Sequence, residues 1–165
     1  MKQILILTIG ILALINPQTI IAQGEKVLKV REINYGESRT EKQYESKMKN
    51  SPSGHHNTTS YQLQITERTD TINAKLGAQF GIEYELISNQ KENTIIQITW
   101  IFPDGMKDQK GKTLKELTYN APKVTNSYTY SNYTLEGENE VVKGQWIFII
   151  SKDGKELYRK IFFLI

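Results

Sequence analysis

Alternation with a period of two residues is what most constrains this chain. From Ala78 to Leu86 the even positions are Ala78, Phe80, Ile82, Tyr84 and Leu86, with Gln79, Gly81, Glu83 and Glu85 between them. A helix would scatter these residues around its circumference. Successive strand residues point to opposite faces, so the pattern predicts a strand with one buried and one wet face. Tyr61, Leu63 and Ile65 alternate in the same way with Gln62, Gln64 and Thr66, as do Ile96, Ile98, Trp100 and Phe102 with Gln97, Thr99 and the less polar Ile101. Strands solvated on one face belong to antiparallel sheets.

Turn chemistry divides these runs. Ser88 to Asn93 separates two of them, and Pro103-Asp104-Gly105 stops the second, because proline lacks an amide donor and glycine tolerates positive φ. At the C-terminus Trp146 to Ile150 leads through Ser151-Lys152-Asp153-Gly154 into Leu157 to Ile165, a hairpin whose turn is supplied by the Asp-Gly pair. It is expected to pair across the centre of the fold. Further strands are expected at Val27 to Tyr35, Leu114 to Tyr119 and Tyr128 to Leu135, giving about seven to nine. Thr40 to Lys49 could form a helical turn or two at best. Two segments read as long loops: Glu37 to Ser60, with its polar cluster from Asn50 to Asn57, and the glycine- and lysine-rich Asp104 to Lys112.

The N-terminus is of a different kind. Lys2 precedes an apolar run from Ile4 to Ile15, which breaks at Asn16-Pro17 and ends in Ile20-Ile21-Ala22. This reads as a secretory signal peptide over residues 1–22. The competing reading is a retained anchor, but about a dozen strongly apolar residues fall short of the ~20 a membrane-spanning helix needs. Residues 23–165, about 143 in number, then form a single domain, long enough to bury a core without staples. With no cysteine in the chain, disulfides, a lipid-acylated cysteine, cysteine nucleophiles and thiolate metal sites are all excluded. The expected product is exported, periplasmic or secreted, with no stable membrane span after cleavage and no more than partners to hold it at a surface.

Many short antiparallel strands with closely spaced turns argue for an all-β protein, a single antiparallel β-sandwich of immunoglobulin-like type, with a small barrel as the alternative. Trp100 and Trp146 lie on strands among aliphatic residues and are expected to anchor the core.

Leu76-Gly77-Ala78-Gln79-Phe80-Gly81-Ile82-Glu83-Tyr84, then Phe102-Pro103-Asp104-Gly105-Met106, then Gly144-Gln145-Trp146-Ile147-Phe148 with Gly154-Lys155-Glu156-Leu157 and Lys160-Ile161-Phe162-Phe163 form an ordered set of landmarks. In these the chain resembles a bacterial family of exported β-rich proteins, domain-of-unknown-function family 3859, from about Val27 to Ile165. The shared punctuation is glycine, proline and aromatic residues, so the resemblance implies a fold family and brings no catalytic residues with it.

The residues offer little chemistry. His55 and His56 are the only histidines, and neighbours on an extended backbone point apart, so they make a poor metal pair. No Gly-x-Ser-x-Gly elbow, Gly-x-Gly-x-x-Gly loop or Walker-type loop is present, which argues against a serine hydrolase and nucleotide cofactors. Glu83 and Glu85 share a strand face at a spacing a glycosidase dyad could use, but alternating glutamates are also what a solvated face looks like. Glu136, Glu138 and Glu140 lack the ligand spacing of a calcium loop. No catalytic residue, metal or cofactor is therefore expected. The net charge of +3 is spread among acidic residues, and the densest basic stretch, Lys42 to Lys49, includes Glu45, so no nucleic-acid partner is expected.

For binding, the feature that stands out is Tyr128-Thr129-Tyr130-Ser131-Asn132-Tyr133. Tyr128, Tyr130 and Tyr133, if exposed along a strand, could stack on sugar rings or anchor a peptide, and the plainer alternative is that they fill the edge of the core. The reading that follows is a non-catalytic exported sandwich acting in the cell envelope through protein contacts. A carbohydrate-binding module, or a weak glycan hydrolase using Glu83 or Glu85, is the alternative.

Overall fold

The computed structural model describes residues 28–40, 43–47, 51–59 and 63–165, and the backbone alone for 43–47 and 55–59. The leader at 1–22, Tyr61 and Gln62, and the side chains of His55 and His56 and of the Lys42 to Lys49 stretch lie outside the described residues.

The described chain forms strands β1 (Lys29–Thr40), β2 (Gln43–Lys47), β3 (His55–Thr59), β4 (Leu63–Glu67), β5 (Thr71–Ile72), β6 (Gln79–Ile87), β7 (Asn93–Ile101), β8 (Glu116–Val124), β9 (Tyr128–Thr134), β10 (Gly144–Lys152) and β11 (Lys155–Leu164). Its helical content is a single 3-10 turn at Glu138–Glu140. No helix among the described residues is long and apolar enough to cross a membrane. Two sheets face one another, one in the order β4-β1-β6-β9 and the other in the order β5-β11-β10-β7-β8. This is a sandwich and not a closed barrel.

Period-two patterning becomes burial as physics requires. Phe80, Ile82, Tyr84 and Leu86 are fully buried, as are Trp146, Phe148 and Ile150, while Ile96, Ile98 and Trp100 are buried to within 1%. The β10–β11 hairpin closes on Asp153 at φ 51° and Gly154 at φ 79°, the paired positive values that a two-residue hairpin turn demands. It places β10 at the middle of the five-stranded sheet.

Two features depart from the sequence reading. The segment from Glu37 to Ser60 is not all loop: β1 continues to Thr40, and β2 and β3 pair as an antiparallel hairpin. A polar hairpin satisfies its own backbone groups, so it can form without the apolar face that the sequence reading looked for. The sandwich is also not wholly antiparallel, because β5 pairs in parallel with β11 through Thr71 and Ile72. After β4 the chain leaves one sheet and joins the other, and it runs beside β11 in the same direction.

Immunoglobulin-type sandwiches often pin their sheets with a disulfide packed against a tryptophan. Here aromatic rings fill that place. Phe80 of the four-stranded sheet lies 5.6 Å from Trp100, 5.7 Å from Trp146 and 5.2 Å from Phe162 of the other sheet, all edge-on. Trp100 also meets Phe148 edge-on at 4.9 Å. Both tryptophans are core anchors, as expected from their strand context.

Candidate functional site

The polar side chains most able to do chemistry are occupied by one another. On the outer face of the four-stranded sheet, Glu83 stands opposite Tyr130 and Glu85 opposite Tyr128, with Arg31 beyond Glu85 on β1. Tyr128 donates its hydroxyl to Glu83 Oε1 at 2.8 Å, and Arg31 binds Glu85. The Tyr128 hydroxyl is pushed well above its ordinary range, by partial desolvation first and then by the Glu83 carboxylate. It therefore stays protonated and holds Glu83 in place.

Of the three tyrosines singled out in the sequence, Tyr128 and Tyr130 share this outer face, Tyr128 half exposed. Tyr133 does not join them. It lies three positions beyond Tyr130, an odd step along the strand, so it points into the core, where it is 8% exposed and lies 5.0 Å from Trp146. Its hydroxyl donates to Glu140 Oε1 at 2.7 Å, and the backbone amides of Glu136 and Gly137 donate to Oε2 of the same carboxylate at 2.7 and 2.9 Å. Glu140 is thus a buried, three-donor acceptor that fastens the turn after β9. It does not converge with Glu136 and Glu138, both exposed. Among the described residues no group of three histidine, aspartate or glutamate side chains gathers.

Both open sides of the sandwich are laced by polar side chains. Beside β1 and β11, Glu32 accepts from Tyr158, lies 3.9 Å from Lys160 and 3.4 Å from Arg68, and the Arg68 guanidinium covers the Tyr35 ring at 4.5 Å. Beside β8 and β9, the Lys123 ammonium donates to the Tyr130 carbonyl at 2.8 Å and sits near the Tyr84 ring. Burial lowers its pKa to about 8.

The outer face of the five-stranded sheet is of another character. Register places Ile101, Ile147 and Ile161 side by side on β7, β10 and β11, with Ile149 in the next row and Phe163 in the row beyond Ile161. Phe163 is 44% exposed, and the isoleucines of these rows are partly exposed. At the end of this face where β7 begins, a shallow depression of about 750 Å³ is lined by Ile95, Pro122, Val124, Glu92 and Lys152 among others. Ile95 is 58% exposed. Ile147 and Ile149 fall within the strand expected at Trp146 to Ile150, and they form its outer face. The signal was present: Trp146-Ile147-Phe148-Ile149-Ile150 is apolar without alternation, the pattern of a strand whose two faces are both covered.

A model of the family described as "Domain of unknown function (DUF3859)" matches residues 26–164. No curated protein matches the chain. Among solved structures, the crystal structure of an immunoglobulin-like protein from Pseudomonas aeruginosa superposes with a TM-score of 0.62 at 21% identity, covering 87% of this chain and 99% of that one. At that identity the likeness is one of fold, and it agrees with the sandwich described above.

Proposed function

This chain belongs to the DUF3859 family, and from its surfaces we propose that it is an exported, non-catalytic binding module that acts in the cell envelope through protein contacts. One observation carries the reading: the aliphatic outer face built by Ile101, Ile147, Ile149 and Ile161, with Phe163 at its end. A sheet face open to water is ordinarily polar, and a contiguous apolar patch rimmed by polar residues is the mark of a contact surface. Export is supported by the apolar leader from Ile4 to Ile15. A non-catalytic role is supported by the pairing of Glu83, Glu85, Glu140 and Glu32 with fixed donors, which leaves these carboxylates engaged in structure.

The test is capture from host envelope extract by immobilised protein, comparing wild type with an Ile147→Asp, Ile161→Asp double variant whose fold is checked by near-ultraviolet circular dichroism. A discrete protein retained by wild type and lost by the folded double variant supports the reading. Equal retention by both refutes the face.

A second reading rests on Tyr128. Its ring is half exposed and its hydroxyl is fixed by Glu83, so with Tyr130 it offers a stacking platform for a saccharide on the opposite sheet. Retention on envelope glycan that disappears with Tyr128→Ala would favour it.

A further inference from the structure

We infer that the free edge of β8 takes an extended segment of another protein as an added strand, hydrogen-bonded along residues 116–120. The inference rests on the protein-contact reading above and names the form of the partner. Register fixes which backbone groups of β8 are open. The Phe102 amide donates to the Lys115 carbonyl at 2.8 Å, and the Thr125 amide donates to the Glu92 carbonyl at 2.9 Å. Both bonds continue the antiparallel ladder of β8 with β7, so its hydrogen-bonded positions are Leu117, Tyr119, Ala121 and Lys123. Glu116, Thr118 and Asn120 therefore direct amide and carbonyl away from β7, and none of the described residues bonds to these groups. Pro122 falls at the next such position, where its missing amide is not needed by β7, and it ends the open stretch.

The other edges of the two sheets carry the devices that keep edges from pairing, which are shortness, charge and cover. β4 has five residues and ends in Glu67. At the middle of β9 the Lys123 ammonium donates to the Tyr130 carbonyl. β11 is covered by β5 at Phe163 and Leu164, and along the rest of it Lys160 is turned inward, its side chain 17% exposed, with the Glu156–Arg159 pair beside it. β8 has nine residues, and its charges, Glu116 and Lys123, stand at or next to its ends. Its open stretch presents amide and carbonyl together at every second residue, a repeat of ~6.6 Å. An extended backbone repeats donors and acceptors at that spacing and a saccharide or a lipid does not, so the occupant is a polypeptide strand. The two faces set its composition. Leu117 and Ala121 are buried on the inner face and Tyr119 is half-buried, so the added residues beside them are apolar. Thr118 and Asn120 are exposed on the outer face, so the alternate residues are polar, with lysine or arginine favoured beside Glu116.

The test titrates isotope-labelled protein with a set of short synthetic peptides in which valine, isoleucine or phenylalanine alternates with threonine and lysine, and follows amide exchange residue by residue. The expected result is that the Thr118 and Asn120 amides, fast to exchange in the protein alone, become protected, while Leu117 and Tyr119, already bonded to β7, change little. Methylating one alternate set of the peptide's backbone nitrogens should abolish binding, and methylating the other set should leave it. Thr118→Pro removes an edge amide at the same kind of position that Pro122 already occupies, so the ladder to β7 is kept, and it should weaken binding by roughly tenfold. Thr118 and Asn120 amides that stay unprotected at millimolar concentrations of every peptide, or equal binding by the two methylated forms, overturn the inference. Protection of these amides in the protein alone, growing with its concentration, gives the edge to a second copy and overturns it as well. The capture experiment changes Ile147 and Ile161 and leaves β8 intact, so the protein-contact reading and the added strand fail separately.

Discussion

Phe80 meets Trp100 edge-on across the sandwich, ring centroids 5.6 Å apart and planes at 86°. Three further edge or tilted contacts converge on the same phenylalanine, from Trp146, Phe162 and Tyr133. Phe80 is therefore the point at which the two sheets are joined. Phe80→Ala is expected to cost about 3–5 kcal/mol, because the rings around it cannot collapse into the space it leaves. Urea denaturation followed by tryptophan fluorescence checks this; a loss below about 1 kcal/mol would place the joint elsewhere.

Glu140 and Tyr133 form a buried unit in which the carboxylate takes three donors. Tyr133→Phe removes one donor and keeps the ring, for an expected loss of about 1–3 kcal/mol. Glu140→Ala leaves a hydroxyl and two amides unsatisfied and should cost more than Tyr133→Phe. The order of the two denaturation midpoints is the test.

Lys123 makes stability depend on pH in a definite direction. Its amine is lowered by burial to about 8 from an ordinary 10.5. Between those values the unfolded chain binds more protons than the folded one, so stability rises with pH, by up to about 1.4 kcal/mol per unit. Tyr84 and Tyr119 are raised by burial and act in the opposite sense, but only above pH 10. Urea midpoints should therefore climb from pH 8 to 9.5 in the wild type and stay level in Lys123→Met.

Gly81 of β6 stands opposite Asn132 of β9. A Cβ there would lie 2.3 Å from the Ser131 carbonyl oxygen and 2.6 Å from Asn132 Cα, both backbone atoms that cannot move aside. Gly81→Ala is expected to destabilise by about 1–3 kcal/mol, with hydrogen exchange accelerated first in β9.

Most of the fold was legible because burial on one face writes itself into alternation. Phe80, Ile82, Tyr84 and Leu86 declare their face, and Asp153-Gly154 declares its turn. The β2–β3 hairpin was not legible, since a polar ribbon carries no apolar period. The site was harder to read. Three tyrosines in six residues looked like one surface, yet strand parity divides them: Tyr128 and Tyr130 face out and Tyr133 faces in. Parity was available in the sequence, but which parity faces the core depends on the pairing of β9 with β6, a long-range contact. The aliphatic outer face was hidden for a related reason. Ile101, Ile147 and Ile161 come from three strands and become neighbours only through register.

The measurement that bears most directly on the functional account is photocrosslinking in the host. A p-benzoylphenylalanine is placed at position 147 on the five-stranded sheet or at position 130 on the four-stranded sheet. Discrete protein adducts from position 147, with none from position 130, are the predicted result. Adducts from position 130 alone would contradict it and move the binding surface to the Tyr128 face.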